Sequence, residues 1–233
     1  MTGWTPNPNY WVGPAPQERH RFSTSPTEVA HIVVAFLVLT VDIALVEGFL
    51  RFGTVPGGIG ANLFIAGLGF AVLAALSGFV AHEMAHKVAA QRYGFWAEFR
   101  MSPVGLLLSL VTAYAGFLFA APGATVVSGM GDTREWGRTS LAGPALNLVE
   151  GSAFFAAGTL AFSLTHGTEA WSFLVLLAFI NGWFAAFNLI PLGPLDGRKV
   201  LRWNTGVWAG FFALAIAFTA GMFYVVAFTG PPF

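Results

Sequence analysis

The stretch "GFVAHEMAHKV", residues 78–88, brings two histidines, a glutamate and a lysine to the end of a run, 61–81, that carries no charge. A membrane-spanning helix needs about 17–25 mostly apolar residues, and 61–81 has that length. Ionisable groups at the end of such a run are costly in a bilayer and mark function by default. Their spacing suggests the chemistry. Residues four apart share a helix face, so His82 and His86 can direct imidazole nitrogens at one metal ion. Glu83, about 100° further round the helix than His82, can flank that ion without ligating it and take a proton from an attacking water.

Composition supports the bilayer. Hydrophobic residues make up 56% of the chain and charged residues 9%, against about 25% charged in soluble domains. So few charges could hardly cover a soluble surface. The formal net charge of zero, with no Lys/Arg-rich segment, argues against nucleic acid as a partner. The absence of cysteine excludes disulfides and thiolate metal sites. The expectation is an all-α polytopic membrane protein whose solvent is the lipid bilayer.

Along the chain, residues 1–27 read as a polar arm broken by Pro6, Pro8, Pro14, Pro16 and Pro26, without the pattern of a cleaved signal. Residues 28–233 read as a single transmembrane domain. Runs able to span lie at 29–50, 61–86, 137–164, 171–192 and 206–229. A further apolar stretch, 103–121, is bounded by Pro103 and Pro122-Gly123, so the count of crossings is five or six.

The basic residues choose between these counts. If 103–121 crosses, Arg19, Arg21, Lys87, Arg92 and Arg100 oppose Arg51, Arg134, Arg138, Arg198, Lys199 and Arg202, which gives no orientation. If it dips in and returns, Arg51 stands alone against all the others. Positive residues favour the cytoplasmic side, so five crossings with the amino terminus inside are expected. Non-helical backbone at membrane depth must be satisfied by protein or a watery cavity, so the returning segment, 95–130, should pack against helices. The helix 61–92, which carries HExxH, and the helix 171–197 then both reach the cytoplasmic end of the membrane.

Two imidazoles leave a catalytic tetrahedral site one protein ligand short. Asp196 is the candidate third ligand, because it shares the expected depth and follows a helix broken by Pro191 and Pro194. Gly197 permits a tight turn. A His₂-carboxylate set suits zinc and also accepts iron, cobalt or manganese.

HExxH in one helix, "AGPALN" (142–147) in the helix 137–164 and "NLIPLGPLDG" (188–197) in a third together resemble the site-2 protease family of intramembrane zinc metalloproteases. The resemblance covers roughly residues 60–200. It implies one Zn2+ held by His82, His86 and Asp196, with Glu83 as catalytic acid/base. Asn188 would sit beside the ion and bind or polarise substrate. Asn147 could do similar work or bridge two helices. It also implies a membrane-embedded β-hairpin or loop after the HExxH helix, an active site facing the cytosol, and a transmembrane helix of another protein as substrate. Many relatives carry PDZ or CBS modules; the short loop 165–170 and the end at Phe233 lead us to expect neither here. The compact, cysteine-free chain suits a prokaryotic cell membrane.

Two other readings stay open. A transporter could bind ions at the broken helix 188–197, which gives no reason for Glu83. A catalytically silent metal-binding scaffold has no chemical need for that base. Elsewhere, Glu47 and Arg51 stand at helical pairing distance, and Asp42 and Glu150 are expected to be hydrogen-bonded inside the bundle.

Overall fold

The computed structural model describes residues 23–52, 61–119, 121–129 and 131–229, with backbone alone at 47–52, 61–66 and 229. The proline-rich arm up to residue 22 and the Glu47–Arg51 pairing lie outside what is described. The helices are α1 (Pro26–Phe52), α2 (Ala61–Ala75), α3 (His82–Arg92), α4 (Pro103–Tyr114), α5 (Thr133–Thr165), α6 (Thr168–Asn188), α7 (Asp196–Trp203) and α8 (Thr205–Tyr224). Two strands, β1 (Trp96–Met101) and β2 (Gly123–Ser128), flank α4. The π-helical turn Leu76–Ala81 joins α2 to α3 without a break, and a second, Val225–Thr229, ends the described chain.

Five helical stretches are long and apolar enough to cross a membrane: Pro26–Val46, Gly67–Arg92, Thr133–Thr165, Thr168–Asn188 and Thr205–Phe228. This is the all-α polytopic architecture expected from the sequence. The segment that left the count open does not form a spanning helix. Its helix α4 has 12 residues, about 18 Å at 1.5 Å per residue, well short of a hydrocarbon core of about 30 Å. Ser102 caps α4 by accepting from Gly105 N at 3.1 Å, with Pro103 in the first turn. That is where a missing amide costs nothing.

The strands on either side of α4 pair antiparallel, from Trp96↔Ser128 to Met101↔Gly123, so the segment leaves where it entered. One outer edge of this ribbon is covered. Phe99 N donates to Glu28 Oε1 at 3.1 Å, which turns the Phe99–Thr125 pair into a non-hydrogen-bonded one. Glu28 also pairs with Lys87 of α3, both completely buried, and Ser25 Oγ donates to Glu98 at 3.0 Å. The start of α1 is thereby clasped to α3 and β1.

α5 opens on a capping box, in which Asp132 accepts from Glu135 N at 2.7 Å and Glu135 from Asp132 N at 3.1 Å. Only His166 and Gly167 separate it from α6, so no module is inserted there. The core lies where α1, the α2–α3 helix and α6 meet (Leu39, Phe70, Phe79, Leu177, Phe184), and Phe99 and Leu106 of the returning segment join it. Asp42 is fully buried against Ser109 of α4, whose hydroxyl also lies 2.9 Å from Leu106 O, whereas Glu150 Oε2 reaches no partner among the described residues.

Candidate metal centre

His82 and His86 begin α3 immediately after the π turn, and Asp196 opens α7. α6 stops at Asn188 because Pro191 and Pro194 lack amide donors. The chain then reverses through Gly193, whose φ of 51° glycine adopts freely. Gly197 lets the turn close, since a Cβ there would lie 2.7 Å from Ile190 O. This puts Asp196 back against α3.

The three side chains converge. His82 Nε2 and His86 Nε2 are 3.0 Å apart, and Asp196 Oδ2 is 3.4 Å from the first and 2.9 Å from the second. With metal–ligand bonds of about 2.0–2.1 Å, a tetrahedral site has ligand–ligand edges of about 3.3–3.4 Å. A small divalent ion therefore fits with shifts of a few tenths of an ångström. All three residues are buried and form a group able to hold a metal ion. Gly143 completes the cradle, because a Cβ at this position would stand 2.5 Å from His86 Nε2 and 2.6 Å from His82 Nε2. The glycine of "AGP" therefore lets α5 approach the two imidazoles closely.

The outer nitrogens of both rings are engaged. His86 Nδ1 lies 2.8 Å from Thr139 O, on a stretch of α5 whose ladder Pro144 loosens. His82 Nδ1 lies 2.5 Å from Asn147 Oδ1. Such partners orient ligating imidazoles and raise their basicity. Asn147 is wholly buried and stands behind His82, outside the cleft lining. Asn188 does reach the cleft, with its Nδ2 donating to Phe184 O at 3.0 Å.

Glu83 borders the same cleft, of about 100 Å³, between α3, β2, α5 and the start of α7. Its Oε2 accepts from both Thr125 N at 2.8 Å and Thr125 Oγ1 at 2.7 Å. Sequence reasoning did not single out Thr125, Thr139, Gly143 or Asn181. Of these, only Gly143 stood inside a motif that carried a signal.

Fold and site together define a polytopic membrane protein with a buried His₂-carboxylate centre. The chain is 36% identical over 140 residues to "Putative zinc metalloprotease MJ0611" of Methanocaldococcus jannaschii, covering 59% of this chain and 72% of that protein. It is 30% identical over 155 residues to "Putative zinc metalloprotease Rip3" of Mycobacterium tuberculosis, covering 64% of this chain but 34% of that one. No protein-family model and no solved structure matches it. The chain belongs to the zinc metalloprotease family that the archaeal protein represents.

Proposed function

We propose that this protein is an intramembrane protease of the site-2 type, hydrolysing peptide bonds within or near transmembrane segments of other proteins, with its site toward the cytoplasm. The observation that carries this reading is the His82–His86–Asp196 group, whose two histidines stand with Glu83 on a helix of membrane-spanning length. Zinc, when bound, supplies a Lewis acid for the scissile carbonyl and makes water a better nucleophile near neutral pH.

The chain's own residues do the rest. Glu83 keeps Oε2 on Thr125, which leaves Oε1 to take a proton from the attacking water and return it to the leaving amine. Asn188 has a second amide hydrogen to give to the carbonyl oxygen as charge develops there. A substrate helix hides its carbonyls in i to i+4 bonds, so the segment to be cut must be drawn out as a strand. The edge of β2 suits this task. The Thr125 amide points away from β1, and with a period of two those of Gly123 and Val127 follow it. Main-chain pairing along that edge would lay an extended substrate against Glu83.

The test is cleavage of a tagged model transmembrane substrate by the purified chain in detergent, beside Glu83→Ala and beside chelated protein. Cleavage by wild type alone, restored to the chelated sample by zinc, is the expected result. Activity that persists in Glu83→Ala would overturn the mechanism.

A further inference from the structure

Behind the metal centre, away from the cleft, lies a chain of buried polar side chains that links α6 to His82. Its proton arrangement follows from acceptor-only groups. Asn181 Nδ2 lies 3.0 Å from Leu177 O and 3.0 Å from Ser77 Oγ. A main-chain carbonyl accepts and never donates, so this end of Asn181 is the NH₂ group. Asn181 Oδ1 is then the atom that faces Asn147, and it accepts from Asn147 Nδ2 at 3.0 Å. Asn147 Nδ2 gives its other hydrogen to Gly78 O at 3.1 Å, a second acceptor-only group. Asn147 Oδ1 is thereby fixed against His82 Nδ1 at 2.5 Å and can only accept, so His82 must carry its ring proton on Nδ1. The Nε2 lone pair is left facing His86 and Asp196.

The polar chain docks on the π turn. Gly78 O, where the Asn147 amide docks, lies inside the turn Leu76–Ala81, and such π turns are frequent at functional sites. Glycine at 78 also keeps the α6 ring of Phe184 close, since a Cβ there would meet it at 2.9 Å.

We propose that Asn181 and Asn147 form a two-amide relay that presets the zinc-binding tautomer of His82, with Asn181 a positioning residue for a ligand it never touches. Ligating histidines usually find a carboxylate or carbonyl for this purpose. An amide does the same in a membrane interior without adding a charge, whose desolvation is costly. His86 has no need of the relay, because the Thr139 carbonyl sets it directly. The proposal rests on the zinc metalloprotease reading of the site and deepens it.

The test is the zinc dissociation constant of the full chain in detergent, from competition with a chromophoric chelator. It is joined to NMR of the zinc-loaded, ¹⁵N-histidine-labelled protein, in which the His82 Nδ1–H proton should exchange slowly. Outer-sphere partners typically contribute about 10–100-fold in metal affinity. Asn147→Leu should reach that range and Asn181→Leu roughly tenfold, each with faster exchange of that proton. Ser77→Ala should stay within about twofold, because Leu177 O still orients Asn181. Leu177→Ala, which removes packing beside Asn181 but no hydrogen bond, should bind zinc as wild type does. If Asn147→Leu fails to fold, Asn181→Leu decides alone. Wild-type zinc affinity in Asn181→Leu, or a loss no larger than in Leu177→Ala, would overturn the relay while leaving the metalloprotease reading intact. Failure of the wild type to bind zinc would remove both.

Discussion

Thr125 holds Glu83 twice, through its backbone N–H at 2.8 Å and its hydroxyl at 2.7 Å, both on Oε2. The strand β2 and the helix α3 therefore meet at Glu83, whose backbone carbonyl also lies 3.2 Å from Thr125 Oγ1. Removing the hydroxyl in Thr125→Val leaves the amide bond and the strand's shape. A hydrogen bond to a charged group contributes about 1.5–3 kcal/mol, so kcat should fall about tenfold or more while zinc content stays at the wild-type level. Thr125→Ser should remain near wild type. Equal kcat in Thr125→Val would show that the amide alone positions the base.

Gly143→Ala tests the cradle. The added methyl would occupy space 2.5 Å from His86 Nε2, so the ion and the side chain compete for it. Bound zinc per chain, measured by elemental analysis after dialysis, should drop to a small fraction of the wild-type value. Full occupancy would mean that the ion sits elsewhere.

Glu28 and Lys87 form an ion pair with both side chains wholly buried. Breaking such a pair from one side leaves an uncompensated charge and costs about 3–5 kcal/mol. Lys87→Met and Glu28→Leu should each lower the thermal unfolding midpoint in detergent by several degrees, and the double variant should recover part of the loss. Additive losses would count against the pairing as the source.

The outer edge of β2 is addressed by two prolines. Val127→Pro removes an amide on the edge away from β1, beside the Thr125 amide that Glu83 takes, whereas Val126→Pro removes one that faces β1. The first should lower kcat/KM for a transmembrane substrate with little change in unfolding; the second should destabilise the fold. Unchanged cleavage by Val127→Pro would remove the strand-addition step.

Much of this was legible in the sequence because the information was local. A period of four gave His82 and His86, an uncharged run gave the bilayer, and two prolines before Asp196 gave the broken helix. The rest depends on contacts between distant segments. Asn147 lies 65 residues from His82, Asn181 lies 104 from Ser77 and Thr125 lies 42 from Glu83; no periodicity connects such pairs. The π turn has no sequence signature at all. Lys87 counts as one flanking charge among eleven basic residues until the fold buries it completely. Asp42, fully buried, meets Ser109 of the returning segment, another contact between distant stretches of chain.

The walls of the small cleft differ in what each would lose by moving. A volume of about 100 Å³ admits a few waters but not a stretch of peptide. Three of its sides are helices that bear His82 and His86, the Thr139 carbonyl, or Asp196. Shifting any of these would scatter the ligands. β2 carries none of them and touches α3 chiefly through Thr125. The wall formed by β2 is thus the one that holds no candidate ligand: it contributes the grip on Glu83 and nothing to the metal group.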